Sequence, residues 1–249
     1  MRKSRVISKI NPIILNGVAH RGLWNKYVPE NSLKAFELAM NNNVAFECDV
    51  HLTKDNNLVV IHDSDLKRLT GKEGIIEDLT LKELKTNYSL SDGQKISSLD
   101  EVLDLINERV PILIELKTRG DNYLELANKA EQVLSKRIID KRNCILISLD
   151  PRSLLPFKKS GLIRMFVVST QNKHLFSKYK RKVEAADFEK VLFEDKRIQK
   201  YSKNHFVNSW TIKNKEDIEY VKPFVDTITF DTIESSEIKK HFRKANNVE

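Results

Sequence analysis

The amino-acid sequence predicts an α/β protein built as a single (β/α)8 barrel with a small insertion after the second strand. Short apolar runs rich in β-branched residues recur along the 249 residues, and segments with apolar residues at intervals of three and four separate them. This alternation implies parallel strands joined by crossover helices, and one closed barrel typically takes a chain of this length. An open doubly wound sheet is the alternative architecture.

The strands are assigned to the short apolar runs, at residues 13–19, 44–50, 58–61, 112–116, 144–149, 164–168, 183–191, 205–211 and 227–230. Helices are predicted at 32–40, 99–107, 124–136, 193–203 and 215–221, and Asn31 or Ser32 is positioned to cap the first of them. The polar stretch 67–99, which contains three glycines, interrupts the rhythm and is the predicted insertion near the barrel mouth. Without an internal repeat or linker, the whole chain, 1–249, is interpreted as one domain.

Composition excludes a disordered chain and limits the partners. Hydrophobic residues make up 40% of the chain and charged residues 31%, enough for a sizeable core under a solvated surface. The formal net charge of +8 suits an anionic partner. The lysine runs at 178–182 and 239–244 come without a nucleic-acid-binding motif, so we interpret them as solvated surface and predict no nucleic-acid partner.

The sequence also predicts where the protein works. Residues 1–15 combine a basic start with a short apolar stretch and no small-residue cleavage site, and no later segment has the roughly eighteen apolar residues of a membrane span. Cys48 and Cys144 lie in apolar runs and are expected to be reduced thiols. We therefore expect a cytoplasmic protein without stable membrane insertion. The sequence does not predict the oligomeric state.

Charged side chains follow two early strands. His20 and Arg21 come directly after the first run, at the carboxyl-terminal rim where barrels carry their active sites. On the second run, Glu47, Asp49 and His51 are spaced by two and share one face. Two carboxylates inside a barrel require a cation or hydrogen-bond donors, because unpaired buried charge is strongly disfavoured. A divalent cation is the predicted partner; an edge strand with its polar face in water is the alternative.

Two further runs end in residues of the same kind. Glu115 and Lys117 share a face at the end of 112–116, and His62 follows 58–61. Glu115 would complete an all-oxygen site with Glu47 and Asp49, which suits Mg2+ or Ca2+ better than Zn2+. The alternative for Glu115 and Lys117 is an ion pair that only neutralises its own charges. The alternative for His62 is a solvated histidine.

Together these groups suit the cleavage of a phosphodiester. A cation, Arg21 and Lys117 would neutralise the phosphate oxygens as charge builds in the transition state. His20 and His62 would divide the proton transfers. Three carboxylates, a divalent cation and two basic side chains leave about one positive charge, which matches a monoanionic diester.

At these residues the sequence resembles the glycerophosphodiester phosphodiesterase family. The similarity spans most of the chain and is most specific between Ala19 and Gly71. Its motifs are HRG at 20–22, PEN at 29–31, ECDVHLTKD at 47–55, VIHD at 60–63, LTG at 69–71, LTL at 79–81, LDEVL at 99–103, IELK at 114–117 and, more faintly, SLDP at 148–151 and SWTI at 209–212.

The resemblance implies a TIM barrel with His20 and His62 as general acid and base. It implies a divalent metal ion, Mg2+ or Ca2+ with Mn2+ also open, bound by Glu47, Asp49 and Glu115. The implied substrate contacts and supports are Arg21, Lys117, Glu30 and Trp210. The expected reaction is hydrolysis of a small glycerophosphodiester to glycerol phosphate and an alcohol, in which a glycerol hydroxyl attacks phosphorus and water opens the resulting cyclic phosphate.

The chain departs from the family pattern at several turns. Asn43 and Asn56 or Asn57 stand where relatives commonly carry glycine, and asparagine tolerates left-handed backbone, so these turns are expected to survive. The last strand lacks the usual glycine, and the sixth-strand region aligns poorly. Because those loops shape the leaving-group side, the sequence does not predict the head group.

Two other functions remain open from the sequence. One is a lyase or transferase reaction on a larger glycerophosphate-bearing lipid or polymer, as in the related sphingomyelinase D and phosphatidylinositol phospholipase C barrels. The other is a non-catalytic polyanion-binding barrel, which predicts salt-sensitive binding without turnover. Two histidines with three carboxylates favour an enzyme over a binder.

Overall fold

The centre of the molecule is a ring of parallel strands. The computed structural model describes residues 3–231 and 233–242. Within them the strands are β1 Val18–Ala19, β2 Ala45–Leu52, β3 Leu58–Val60, β4 Ser97–Ser98, β5 Ile112–Leu116, β6 Cys144–Ser148, β7 Ile163–Val168, β8 Ala185–Glu189, β9 Val207–Trp210 and β10 Thr229–Phe230. The order β10-β1-β2-β5-β6-β7-β8-β9 is parallel throughout.

Backbone hydrogen bonds beyond β9 complete the ring. The Ile212 amide donates to the Thr229 carbonyl at 3.0 Å, and the Asp231 amide donates to the Ile212 carbonyl at 2.9 Å. These bonds form a parallel bridge between Ile212, just beyond β9, and Phe230 of β10. The predicted (β/α)8 barrel is confirmed.

Helices connect the ring strands. The described helices are α1 Lys3–Ile7, α2 Leu33–Asn41, α3 Lys67–Thr70, α4 Leu81–Asn87, α5 Leu99–Ile106, α6 Tyr123–Arg137, α7 Phe176–Tyr179, α8 Lys196–Ser202, α9 Lys215–Val221 and α10 Ser235–Phe242. Short 3-10 turns supplement them, including Pro12–Asn16 and Pro156–Lys159. Within the described residues, every helix is too short or too polar to cross a membrane.

The alternation of side chains along the strands divides the core into two. On β2, Cys48 and Val50 point outward and pack with the helices, while Glu47 and Asp49 point into the barrel. The predicted faces of this strand are therefore confirmed. An inner apolar cluster fills the barrel below these carboxylates.

The amino end of the barrel is closed by the chain that precedes β1. Val6, Ile10 and Ile14 are almost fully buried and belong to the inner cluster; we call these three residues the amino-end plug. The Thr227 hydroxyl donates to the Ile14 carbonyl, which fixes the plug to the strand end. The inner cluster also contains Ile147, which lies at the opposite end of the barrel interior.

Two of the predicted strands are wrong in part. The first, 13–19, is a strand only at Val18–Ala19, because Asn11 caps a 3-10 turn that starts at Pro12. The run 58–61 does form a strand, β3, but it pairs antiparallel with β2 and lies outside the ring. A loop of five residues joins β2 to β3, which allows only an antiparallel pairing, because a parallel pairing needs a crossover of about a dozen residues.

The polar stretch 67–99 folds beside this hairpin. It contributes α3, α4 and β4, and its apolar side chains form a separate small cluster with Ile61, in which Leu66, Ile76 and Leu84 are fully buried. The expected left-handed asparagines are also confirmed, since φ is 50° at Asn43 and 58° at Asn56.

Candidate active site

A cavity of about 110 Å3 opens at the carboxyl end of the ring. Most of the site residues expected from sequence line it: His20, Arg21, Glu47, His62, Glu115, Lys117 and Trp210. Asp49 is fully buried against this set, since its carboxylate lies 3.3 Å from the Lys117 ammonium. Glu30 does not line the cavity and instead contacts Arg21. The structure therefore brings together groups that lie as far as 190 residues apart in sequence.

Three buried carboxylates form the centre of the site. Glu47 and Asp49 come from β2 and Glu115 from β5, where Asp49 and Glu115 are direct neighbours in register. One oxygen from each lies within 4.8 Å of the others. Among the described residues, Glu47 Oε1 and Asp49 Oδ1 are buried with no hydrogen-bond partner. An all-oxygen set with unpaired lone pairs fits a hard divalent cation.

The pKa values reflect the crowding of negative charge. Burial, reinforced by Asp49 and Glu115, raises the pKa of Glu47 well above its usual range. Burial also raises the pKa of Glu115. At Asp49 burial acts in the same direction, but Lys117 and other nearby cationic groups outweigh it and hold the pKa below its ordinary value. A bound cation would relieve the repulsion among these groups.

A tight turn after β1 places Arg21. Its φ of 60° is left-handed, and its amide donates to Glu47 Oε2 at 2.9 Å. Gly22 follows with φ of 82°, and a Cβ there would approach Ala35 Cβ to 2.8 Å, so only glycine fits. The Arg21 guanidinium donates to Glu30 at 2.7 Å, and its Nε lies 3.5 Å from Asp49. Glu30 thus orients the arginine from outside the cavity.

Asn31 fixes the most buried carboxylate. Its side-chain amide donates to Asp49 Oδ2 at 2.8 Å and accepts from the Asp49 amide at 3.2 Å. Of the two capping candidates, Ser32 is therefore the one that caps α2, accepting from the Ala35 amide. Asn31 needs φ of 55° to reach inward, which asparagine tolerates.

His62 is held between a carboxylate and a cation. Its Nδ1 lies 2.6 Å from Asp63 Oδ1, and its Nε2 lies 3.3 Å from the Lys117 ammonium. Burial lowers the pKa of His62, and Lys117 adds to this effect although Asp49 opposes it. The network assigns the Nδ1 proton to the Asp63 bond and leaves Nε2 as the lone pair facing the cavity.

His20 has a similar support on the other side. Its Nδ1 lies 3.1 Å from Asp231 Oδ1, and the same oxygen accepts from Trp24 Nε1 at 3.2 Å. Nδ1 of each imidazole is thus occupied by an aspartate, so each presents its Nε2 to the cavity.

The comparison with known proteins decides the family. The model of the glycerophosphoryl diester phosphodiesterase family matches residues 20–235. The chain belongs to this family. A glycerophosphodiester phosphodiesterase of Caldanaerobacter subterraneus subsp. tengcongensis is 31% identical over 238 residues, which covers 88% of this chain and 94% of that protein.

Two further relatives agree with this assignment. The crystal structure of the glycerophosphodiester phosphodiesterase of Thermotoga maritima is 28% identical, with a TM-score of 0.72 over 91% of this chain and 97% of that one. A glycerophosphodiester phosphodiesterase of Bacillus altitudinis is 38% identical over 112 residues, 42% of this chain. That match spans less than half of the Bacillus protein, 45% of its length. The family is one of phosphoric diester hydrolases.

Some residues of this family member's site were not predicted from the sequence. Asp231 and Asp63 hold the two histidines, yet neither was singled out, although Asp63 directly follows His62 and Asp231 ends the last strand. His51 was placed on the face of Glu47 and Asp49. On that face of β2 it lies beyond the carboxylates and is buried against the His62 carbonyl, to which its Nε2 donates at 2.9 Å. It therefore supports the loop that carries His62.

Proposed function

We propose that this chain hydrolyses small glycerophosphodiesters to glycerol phosphate and an alcohol, with a divalent metal ion held by Glu47, Asp49 and Glu115. The observation that carries the proposal is the single cavity in which two carboxylate-supported imidazoles face a buried cluster of three carboxylates. The family and the names of its relatives support the substrate class. When bound, Mg2+, Ca2+ or Mn2+ would neutralise the charge that builds on the phosphate oxygens.

Arg21 and Lys117 bind and orient the phosphate in this proposal. Both line the cavity and both are cationic: burial lowers the pKa of each, but the surrounding carboxylates outweigh it and raise the pKa above the ordinary value. Glu30 holds the Arg21 guanidinium in place. A pair of fixed positive groups aimed at the phosphate stabilises the transition state without reorganising at the moment of reaction.

His20 and His62 carry the protons. One removes the proton from the attacking glycerol hydroxyl while the other protonates the oxygen of the leaving alcohol, and a cyclic phosphate forms. In the second step the roles reverse: the histidine that gave up its proton deprotonates water, and the other returns a proton to the ring oxygen that departs. The protonation state of the site is then restored.

Trp210 would offer an apolar wall for the glycerol moiety or the leaving alcohol, beside Leu149. We also propose that residues 67–99 act as a cover for the barrel mouth. Arg68 supports this role, because its guanidinium reaches from α3 to Glu30 at 2.7 Å and to Asp63, two residues at the edge of the site.

Alanine variants of the two histidines test the proposal. We expect His20→Ala and His62→Ala each to lower kcat/KM on a panel of glycerophosphodiesters by about 10²–10⁴-fold. The matched control is His174→Ala, which removes an exposed histidine that belongs to a 3-10 turn and does not line the cavity. Wild-type rates in both site variants would contradict the proposal. A cyclic phosphate that persists as the end product would indicate a lyase, and salt-sensitive binding without turnover a polyanion-binding protein.

A further inference from the structure

Asp187 is a buried carboxyl that the proposed mechanism does not use. It lies in the middle of β8, is only 2% exposed and lines the active-site cavity. Its Oδ1 has no hydrogen-bond partner among residues 3–231 and 233–242. Buried polar atoms in proteins are nearly always hydrogen-bonded, so an unpaired carboxyl oxygen at a cavity wall indicates a partner from outside the chain.

The same cavity lining contains a buried hydrogen-bond donor that has no partner among the described residues. Trp210 Nε1 is buried in the same cavity lining and has no acceptor within the described part of the chain. In the β8–β9 ladder Trp210 pairs with Glu189, two residues beyond Asp187, so both side chains point to the same face. They are separated by about one diagonal step of the sheet, a distance that a tryptophan side chain spans.

Within the described residues, the strand next to Asp187 leaves its Oδ1 without a hydrogen-bond partner. Asn208 is its direct neighbour in register, but the Asn208 amide donates to the Thr229 hydroxyl at 2.8 Å. Asn208 Oδ1 is itself buried and, within the described residues, without a hydrogen-bond partner. Burial, reinforced by the nearby Glu115 carboxylate, raises the pKa of Asp187 well above its usual range, although a side-chain hydrogen bond with Asn208 opposes this effect. The carboxyl is therefore suited to a neutral, hydroxyl-like ligand.

We propose that Asp187 and Trp210 form a subsite for the terminal hydroxymethyl group of the glycerol moiety. A hydroxyl both donates and accepts hydrogen bonds, so one hydroxyl would provide a partner for both atoms. It donates to Asp187 Oδ1 and accepts from Trp210 Nε1. Ile147 and Val167 line the cavity next to this pair and match the carbon chain of the polyol. This inference rests on the proposed function, and it makes Asp187 the residue that distinguishes glycerol from simpler diols.

Two substrates separate this role from a structural one. The first is sn-glycero-3-phosphocholine; the second is 2-hydroxyethyl phosphocholine, which keeps the attacking hydroxyl, the phosphate and the leaving group but lacks the hydroxymethyl. A site that hydrogen-bonds a substrate hydroxyl discriminates against an analogue without it. We expect wild type to prefer the glycerol compound by about 10–100-fold in kcat/KM.

The variants are Asp187→Leu and Asp187→Asn. We expect Asp187→Leu to lower kcat/KM on the glycerol compound by about 10–100-fold and to change the hydroxyethyl compound by less than about threefold. Asp187→Asn keeps a hydrogen-bonding oxygen and should retain part of the preference. The matched control is Asp226→Asn, a half-buried aspartate with a raised pKa, whose carboxylate accepts from the Val207 amide at the start of β9. It should leave the preference intact.

Melting temperatures give a second readout. Because Asp187 Oδ1 has no hydrogen-bond partner among the described residues, Asp187→Asn should not lower the melting temperature. Glycerol phosphate should stabilise wild type more than 2-hydroxyethyl phosphate does. Equal losses on both substrates, or an unchanged preference in both variants, would overturn the inference while the proposed function stands. If Asp187→Leu does not fold, the preference of Asp187→Asn decides. Wild type that turns over neither substrate would refute the proposed function and this inference with it.

Discussion

The two ends of the barrel interior contrast in chemistry. At the amino end, Val6, Ile10 and Ile14 fill the space between the strands with apolar side chains and exclude water. At the carboxyl end, Glu47 and Asp49 are just as deeply buried but carry oxygens without hydrogen-bond partners among the described residues. The first end stabilises the fold by burial. The second is destabilising on its own, and it persists because the surrounding core compensates for it.

The difference teaches how this fold separates stability from catalysis. Strands of the ring supply apolar residues to the plug end and charged residues to the rim, so the same β2 begins with buried Ala45 and continues to Asp49. A change at one end should therefore affect one property and leave the other nearly intact.

Among the changes that test this comparison of the two ends, the largest effect is expected from Glu47→Gln. It removes a proposed metal ligand, so we expect kcat/KM on glycerophosphocholine to fall by about 10²–10³-fold or more. The same change removes a buried carboxylate whose pKa is raised by burial and by its neighbours, so the melting temperature in chelator-treated buffer should stay equal or rise. Glu216→Gln, an exposed residue at the start of α9, is the control. A large loss of stability with full activity would reverse the comparison.

The opposite end is tested with Ile14→Ala. Ile14 is fully buried in the amino-end plug, and truncating such a side chain costs about 2–5 kcal/mol of unfolding free energy. At a temperature where the variant is folded, kcat/KM should stay within about twofold, as expected for a site at the other end of the barrel. Urea unfolding measures the free energy of unfolding. The control is Ile139→Ala, at an 84% exposed residue, which should change that free energy little. Activity that falls along with stability would show that the two ends are coupled.

A smaller effect is expected on the pH dependence of stability. It distinguishes Asp63, a carboxylate at the rim with hydrogen-bond partners, from the carboxylate oxygens of Glu47 and Asp49 that are unpaired among the described residues. Burial acts to raise the pKa of Asp63, but its hydrogen bonds with Arg68 and His62 outweigh this and lower the pKa to about 2. A carboxyl whose pKa is lowered on folding stabilises the protein above its unfolded pKa of about 3.9, and that contribution is lost as the pH falls towards the folded value. Wild type should therefore exceed Asp63→Asn in unfolding free energy at pH 5, with the difference shrinking towards pH 2. A difference that does not vary over this range would refute the pairing.

Much of the site could be predicted because its residues follow simple rules. On β2 the spacing of Glu47 and Asp49 fixes a shared face, and the carboxyl ends of parallel strands meet at one rim, which brings in Glu115 and Lys117 from β5. The left-handed asparagines followed from their own conformational preference.

The rest depends on tertiary contacts that no local pattern records. The run 58–61 looks like any ring strand, and only the short hairpin before it decides that it turns back on β2. Asp187 lies in the sequence region that aligned least well, and Asp231 acquires its meaning only when β10 closes the ring beside His20. Residues that act through a partner distant in sequence are therefore the ones that the sequence alone missed.

The most direct test of the account is the effect of metal removal on wild-type turnover. Release of glycerol phosphate from sn-glycero-3-phosphocholine is measured before chelation, after EDTA treatment and after add-back of Mg2+, Ca2+ or Mn2+. We expect turnover to be lost on chelation and restored by at least one of the three ions, as Glu47, Asp49 and Glu115 require. Full turnover in the chelated protein would contradict the assignment of these carboxylates to a metal ion.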